Sequence, residues 1–317
     1  MVTTTKFEQD VLDGLSAASK SIPSKYFYNE KGDALFVEIM NLPEYYLTRA
    51  ELEIFTNYTA SIIEALRLKK DIPFNFVELG AGDGTKTIIL LRELLRQGFD
   101  FTYMPIDISE NALSLLKEKI ENQLEHPNVQ PVAGDYFTSL EKIKFSSKPT
   151  VVLFLGSSLG NMLDEEASRF LKQLSARLKQ GDVLLLGTDN IKEVEVVLPA
   201  YNDAAGVTAA FNFNLLDRIN EELGADFNIA QFKHSPEYTM EDGVAKSFLE
   251  SLQQQSVYFP GTETYIHFAK GEKIQTESSR KYDRSIFEKL FRGTELKLME
   301  QFSDKKNYFT DSIFVKQ

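Results

Sequence analysis

The sequence contains no cysteine, so no disulfide framework holds the chain together. Its three histidines, His126, His234 and His267, are scattered without metal-ligand spacing, and neither an H-E-x-x-H motif nor a Cys/His cluster is present. No metal site is expected. Positive charge is in short supply. With 35 Lys and Arg against 47 Asp and Glu the formal charge is -12, a balance that repels nucleic-acid phosphates, and no basic cluster overrides it locally. Small molecules are the partners this composition favours. The longest apolar runs, such as VVLFLG and VLLLG, are too short to cross a bilayer and suit buried strands. The start MVTTTKFEQDVLDG lacks the apolar core of a secretory signal, which places the protein in the cytoplasm and off the membrane.

What is present is enough apolar residue, 43% of 317, to bury a large core in one elaborated domain or two. Strand and helix signals alternate through the middle of the chain. A short apolar run over Phe74–Leu79 ends at glycines, and Thr85–Leu95 follows with helical spacing of Ile88, Leu91 and Leu95. FTYMPIDIS, NALSLLKEKIENQL and VQPVAGDYF continue as strand, helix and short strand. A fourth strand over Thr150–Leu155, a helix over Glu165–Leu178 and a fifth strand over Asp182–Thr188 complete the series. These strands are apolar throughout, as in an α/β fold whose parallel sheet is covered on both faces. After Asp189 the rhythm changes. A helical stretch around Asn202–Leu223 leads into polar, turn-rich and aromatic segments up to about residue 281, an insertion or second subdomain. The tail KLMEQFSDKKNYFTDSIFVKQ suits an antiparallel hairpin at the sheet edge, and Thr48 with Glu51 has the spacing of a capping box that opens a helix.

The turn FVELGAGDGTKT carries the first chemical signal. A dinucleotide fingerprint needs G-x-G-x-x-G, but here the glycines are Gly80, Gly82 and Gly84, and Thr85 holds the position of the third. Such a turn lets backbone approach a ligand that carries no pyrophosphate. The next strand ends in Asp107, placed to accept from a ribose diol, and Gly134-Asp135-Tyr136 follows the third strand, where a carboxylate could meet an adenine amino group. Adenosine without a diphosphate points to S-adenosylmethionine; a plain tight connection and a nicotinamide site are the alternatives. Lys86 is a cation in the first turn of a helix, against the macrodipole, which a bound carboxylate would justify and a solvated side chain would equally allow.

YFYNEKGDALFVEIMNLPEYYLTRAELEI, FVELGAGDGTKT, FLGSSLGNM, YNDAAGVTAAFNFNLLDRINEELGADFN and KIQTESSRKY together resemble the histidine-specific methyltransferases, from about residue 20 to the C-terminus. The resemblance implies a Rossmann-like class I methyltransferase sheet over 57–191 and 282–317, with an additional substrate-binding domain over 1–56 and 192–281. It implies trimethylation of the α-amino group of L-histidine to hercynine, in ergothioneine biosynthesis, with S-adenosylmethionine leaving as S-adenosylhomocysteine. A sibling activity on another amino acid or an indole amine, and a binding protein that kept the pocket, stay open.

By the same resemblance Gly80, Lys86, Asp107 and Asp135 hold the cofactor, to which the glycine turn adds Gly82 and the G-D-Y segment adds Tyr136. Tyr28, Tyr45, Asn161 and Tyr201 match residues around the amino and carboxylate ends of histidine, with Tyr28 or a water as the proton acceptor. Glu277 and Ser279 match the pair on the imidazole. The family's methionine beside that ring falls at Ser247, a departure that bears on selectivity. Methyl transfer to an amine is an in-line displacement, so alignment and exclusion of water matter more than a nucleophile. No G-x-S-x-G motif is present, and the serines of LGSSLGN are taken to shape the cofactor pocket. Taken singly, Tyr28 and Tyr45 read as core aromatics, Asn161 equally as a helix cap, and T-E-S-S as a surface turn. A carboxylate facing one imidazole nitrogen and a hydroxyl facing the other would select histidine over tryptophan or phenylalanine. The enzyme is expected to act as a monomer or a weakly associating chain.

Overall fold

β1 (Phe74–Leu79) is buried along its whole length, which a strand achieves only in the middle of a sheet covered on both sides. In the computed structural model, which describes residues 5–134, 139 and 148–317, it pairs in parallel with β2 (Phe101–Asp107) on one side and β4 (Thr150–Phe154) on the other. β3 (Val132–Ala133) follows β2, and β5 (Val183–Asp189) follows β4, all parallel. β11 (Leu296–Ser303) and β12 (Phe309–Lys316) form the antiparallel hairpin, giving a seven-stranded sheet in the order β11-β12-β5-β4-β1-β2-β3.

Period-2 alternation sends successive apolar residues to opposite faces. Phe74, Phe76, Val151 and Leu153 pack on one face with Ile54, Phe55 and Ile62 of α3 (Tyr46–Ala65) and with Ile88 and Leu91 of α4 (Thr85–Arg96). Val77, Leu79, Val152 and Phe154 pack on the other with Phe170, Leu171 and Leu174 of α6 (Asp164–Arg177) and with Ile286 and Leu290 of α9 (Arg284–Leu290). α5 (Glu110–Gln123) adds Leu116 and Ile120 to the first face. Burial of each such side chain contributes about 1.5–3 kcal/mol. No helix among the described residues is long and apolar enough to cross a membrane.

The chain divides into two compact units, this sheet unit (Leu47–Ile191 and Arg280–Gln317) and a second made of Met1–Tyr46 and Lys192–Ser279. The first boundary falls ten residues ahead of the 56/57 division read from the sequence, because α3 buries its apolar stripe in the sheet unit's core. The second unit holds α1 (Lys6–Ser16), α2 (Glu30–Asn41), α7 (Val194–Ala200) and α8 (Val207–Leu223). Its strands are β6 (Phe232–His234), β7 (Val244–Ser251) and β10 (Lys273–Arg280), ordered β10-β7-β6, and the hairpin β8 (Gln255–Phe259) with β9 (Thr264–Phe268). The polar, turn-rich stretch after residue 223, which leaves the βα alternation, forms these five strands, and the helical stretch expected from Asn202 begins at Val207.

The capping-box reading of Thr48 and Glu51 is corrected. α3 already begins at Tyr46, so Thr48 lies inside the helix, and the Glu51 side chain is 1% exposed and directed elsewhere.

Candidate functional site

The turn out of β1 is built on backbone geometry that glycine adopts freely. Gly80, Gly82 and Gly84 have φ of +70°, +52° and +64°. Gly84 is constrained twice, since a Cβ there would lie 2.2 Å from Leu116 Cδ1, whereas a Cβ on Gly82 would meet nothing within 4 Å. Gly82 therefore leaves room for a ligand against the backbone. Its amide donates to Asp107 Oδ2 at 3.1 Å, and the Ser109 amide donates to Oδ1 at 3.0 Å. Two amides hold the carboxylate still while each oxygen keeps a lone pair for a diol. The Gly134 amide donates to the Asp107 main-chain carbonyl at 3.0 Å, so the end of β3 lies beside the end of β2. Asp135 and Tyr136, the remaining expected cofactor residues, lie outside the described residues. This donor and acceptor set, with an open glycine turn and no pyrophosphate cradle, fits the nucleoside of S-adenosylmethionine.

Lys86 has an internal carboxylate. Its ammonium pairs with Glu51 of α3, and Glu51 also accepts from the Gly156 amide at 2.9 and 3.1 Å. Burial alone would lower the Lys86 pKa, but Glu51, with Asp311 and Glu78 further off, raises it, so the cation is secured. The bound carboxylate invoked from the sequence is therefore not what first justifies this lysine. Its side chain is 19% exposed, against 1% for Glu51.

Glu78, the acid before the glycine turn, is buried and accepts from Thr87 Oγ1 at 2.7 Å and from the Tyr103 hydroxyl. Burial raises its pKa from 4.5 to about 7, and the two hydroxyl donors oppose that rise without cancelling it. The folded state thus holds this proton more tightly than the unfolded chain. Stability from this group is complete below about pH 4.5 and is lost as pH rises to about 7. Between pH 5 and pH 8 the wild type should lose up to roughly 3 kcal/mol relative to Glu78→Gln. Denaturant unfolding of both proteins at the two pH values checks this, and a constant difference between them would refute it.

The loop after β4 keeps no serine poised for attack. Ser157 has φ +59°, and its Oγ accepts from the Asp189 amide at 3.0 Å. Ser158 Oγ donates to the Leu155 carbonyl at 2.8 Å. Asn161 ends the 3-10 turn Ser158–Asn161 and is exposed; α6 is capped at Leu163, so Asn161 is not its cap. It stands past the carboxyl end of β4, on the sheet edge where parallel α/β folds take ligands.

The other expected substrate residues lie in the second unit. Tyr28 and Tyr45 are half-buried and meet the same ring, Phe36, edge-on at 5.9 and 6.4 Å. Phe211 of α8 lies 6.1 Å from Tyr28. Tyr201, buried, closes α7. The T-E-S-S segment is strand, not turn. Residue parity in β10 puts Glu277 and Ser279 on one face and Thr276 on the other. Ser247 of β7, fully buried, donates its hydroxyl to Glu277 Oε2 at 3.1 Å. Thr276 Oγ1 donates to Asn212 Oδ1 at 2.6 Å, which ties β10 to α8 one residue from Phe211. The structure thus joins Tyr28 with Tyr45 through Phe36, and Ser247 with Glu277 directly.

Sequence reasoning missed Glu51, Asp311 and Asn212. Each has a signal: Glu51 interrupts the buried stripe Leu47, Ala50, Ile54, Phe55, Asp311 stands in the apolar run of the last strand, and Asn212 sits between Phe211 and Leu215 on a buried helix face. Among the described residues no group of His, Asp and Glu is placed to hold a metal.

The profile of the family described as histidine-specific methyltransferase, SAM-dependent, matches residues 7–316. The histidine N-alpha-methyltransferase of Mycolicibacterium smegmatis is 38% identical over 279 residues, covering 86% of this chain and 84% of that one. The enzyme of the same name from Mycobacterium tuberculosis is 36% identical over 274 residues, with coverage of 86% and 84%. The 4-dimethylallyltryptophan N-methyltransferase easF of Claviceps fusiformis is 26% identical over 201 residues, covering 60% of this chain and 56% of that one. With a parallel α/β sheet closed by an antiparallel hairpin, an open glycine turn beside Asp107 and a profile match over almost its whole length, the chain belongs to the SAM-dependent histidine-specific methyltransferase family.

Proposed function

We propose that the protein trimethylates the α-amino group of L-histidine to hercynine, acting as a cytoplasmic monomer on the free amino acid. Bound S-adenosylmethionine supplies a methyl group made electrophilic by its sulfonium. Gly80, Gly82, Asp107 and Lys86 are the described residues assigned to hold it, with Asp135 and Tyr136. The observation that carries the histidine reading is the Ser247–Glu277 hydrogen bond. A carboxylate kept in place by a buried hydroxyl, with Ser279 on the same strand face, suits a ring that offers one N–H donor and one acceptor. An indole offers an N–H to the carboxylate but no acceptor for the Ser279 hydroxyl, and a phenyl offers neither.

Tyr28, Tyr45, Tyr201 and Asn161 are assigned to the amino and carboxylate ends. Each round needs the ammonium to release one proton before its nitrogen lone pair can attack, and the Tyr28 hydroxyl is assigned to pass that proton on. Tyrosine rings also tolerate the quaternary cation that forms. Tyr28→Phe should slow turnover by roughly 10²-fold with a smaller change in histidine KM; full turnover through all three rounds would remove Tyr28 from this role.

A second reading, methylation of another amino acid or an indole amine, is favoured by Ser247 standing where the family's methionine is expected and by the relative named for dimethylallyltryptophan. One experiment separates the two. The protein is incubated with labelled S-adenosylmethionine and a panel of free amino acids and indole amines, and products are identified by mass. A trimethylated histidine supports the first reading, another methylated amine the second, and no transfer to any amine overturns both.

A further inference from the structure

We propose that Glu51 is a positioning residue for the amino-acid end of the cofactor: its carboxylate fixes the Lys86 ammonium at the carboxyl edge of β1 and β4, where Lys86 meets the cofactor's own carboxylate. The inference rests on the assignment of Lys86 to the cofactor. Three observations carry it.

Lys86 lies in the first turn of α4, where the helix dipole disfavours a cation. The nearest acid in sequence, Asp83, is turned to the Thr85 amide and to Lys119. The offset comes from α3, thirty-five residues earlier, through Glu51, whose side chain is 1% exposed while that of Lys86 is 19% exposed. The acid of the pair is thus the more deeply buried partner, and the lysine side chain is the one that keeps some exposure. An ammonium has three donors, and one bond to Glu51 leaves others for a ligand.

Glu51 also accepts from the Gly156 amide, at 2.9 and 3.1 Å, so one carboxylate joins α3, α4 and the loop after β4. A Cβ on Gly156 would lie 3.6 Å from Lys86 Nζ. The ammonium is thus seated against the backbone at the carboxyl ends of two adjacent parallel strands, the edge where ligands bind in such sheets.

Asp311 of β12, fully buried, completes the cluster. A Cβ on Gly187 would lie 2.3 Å from Glu51 Oε1 and 2.9 Å from Asp311 Oδ1, so both acids crowd the same glycine. Neither Asp311 oxygen has a donor within reach. Burial, reinforced by the Glu51 charge, raises the Asp311 pKa well above its ordinary value against the pull of Lys86, which favours its neutral form. A protonated Asp311 becomes a donor toward Glu51. The three groups then sum to zero charge, and an incoming carboxylate meets the lysine without a net negative charge behind it.

Calorimetric titration with two nucleosides tests the proposal. S-adenosylhomocysteine carries the amino-acid end, and methylthioadenosine shares the nucleoside but lacks it. Glu51→Gln should weaken S-adenosylhomocysteine at least about tenfold and change methylthioadenosine less than about twofold, and Lys86→Met should show the same pattern. The double variant should be no weaker than Lys86→Met alone, and Glu51→Asp should recover part of the loss. Equal weakening of both nucleosides by Glu51→Gln would make Glu51 a structural staple and overturn the proposal. Selective loss in Lys86→Met without selective loss in Glu51→Gln would overturn the proposal alone. Unselective or absent loss in Lys86→Met would instead overturn the assignment of Lys86, and the proposal with it. If Glu51→Gln does not fold, Glu51→Asp carries the test, with an intermediate loss confined to S-adenosylhomocysteine expected and equal loss for both nucleosides overturning it.

Discussion

Lys281→Met is expected to lower the stability of the sheet unit by about 3–5 kcal/mol, the usual result of removing one partner from a buried ion pair. Lys281 Nζ lies 2.8 Å from Asp189 Oδ2, and both side chains are 0% exposed. Asp189 ends β5 and the segment holding Lys281 runs beside it: the Tyr282 amide donates to the Asp189 carbonyl at 2.8 Å, and the Ile191 amide to the Tyr282 carbonyl at 2.9 Å. Methionine matches the length of the lysine stem, so packing is largely kept and the loss is electrostatic. Asp189 would then carry its charge without the cation or take up a proton, and either is costly at zero exposure. The melting temperature should fall by on the order of 10 °C. Asp189→Asn in the same background should recover part of the loss, because it removes the uncompensated charge. A melting temperature within about 2 °C of wild type for the single variant would show that the pair does not carry this energy.

Glu277→Ala is expected to weaken L-histidine binding by roughly 10²-fold while leaving S-adenosylmethionine affinity within about twofold. The first figure follows from losing a hydrogen bond to a charged group, about 1.5–3 kcal/mol, in a partly desolvated site. The second follows from placement: Glu277 lies on β10 among the second unit's residues, where it accepts from Ser247 of the same unit. Thr276 next to it keeps its own bonds to Asn212 and to the Ser247 carbonyl, at 2.6 and 3.0 Å, so the strand should hold without the carboxylate. Titration of each ligand into the variant measures both quantities. A parallel loss of both affinities would make Glu277 a support of the fold, and unchanged histidine affinity would remove it from recognition.

Much of the sheet unit is legible in the residues alone. β1, β2, β4 and β5 stand out as apolar runs because both their faces are buried, and a run of that kind between glycines and amphipathic helices has few other meanings. The glycine turn is legible because positive φ leaves glycine where other residues would be strained. The second unit is harder to read. β7 and β10 alternate buried and half-buried residues in VAKSFLES and KIQTESSR, with Ser and Thr on their buried faces. Hydrophobicity counts therefore miss them, and Glu277 passes for part of a surface turn until strand parity sets it beside Ser279. The T-x-x-E spacing at Thr48 and Glu51 misleads for a related reason. A local motif outweighs a signal that needs the helix face, namely an acid in the middle of a buried stripe.

Local periodicity and backbone chirality thus suffice for the parallel sheet and its nucleoside turn, because those properties are written in residues close together in the chain. Pairings such as Glu51 with Lys86, Asp189 with Lys281 and Ser247 with Glu277 join residues 35, 92 and 30 positions apart. No window of sequence contains their distance or their burial, and only packing decides which buried charge finds a partner.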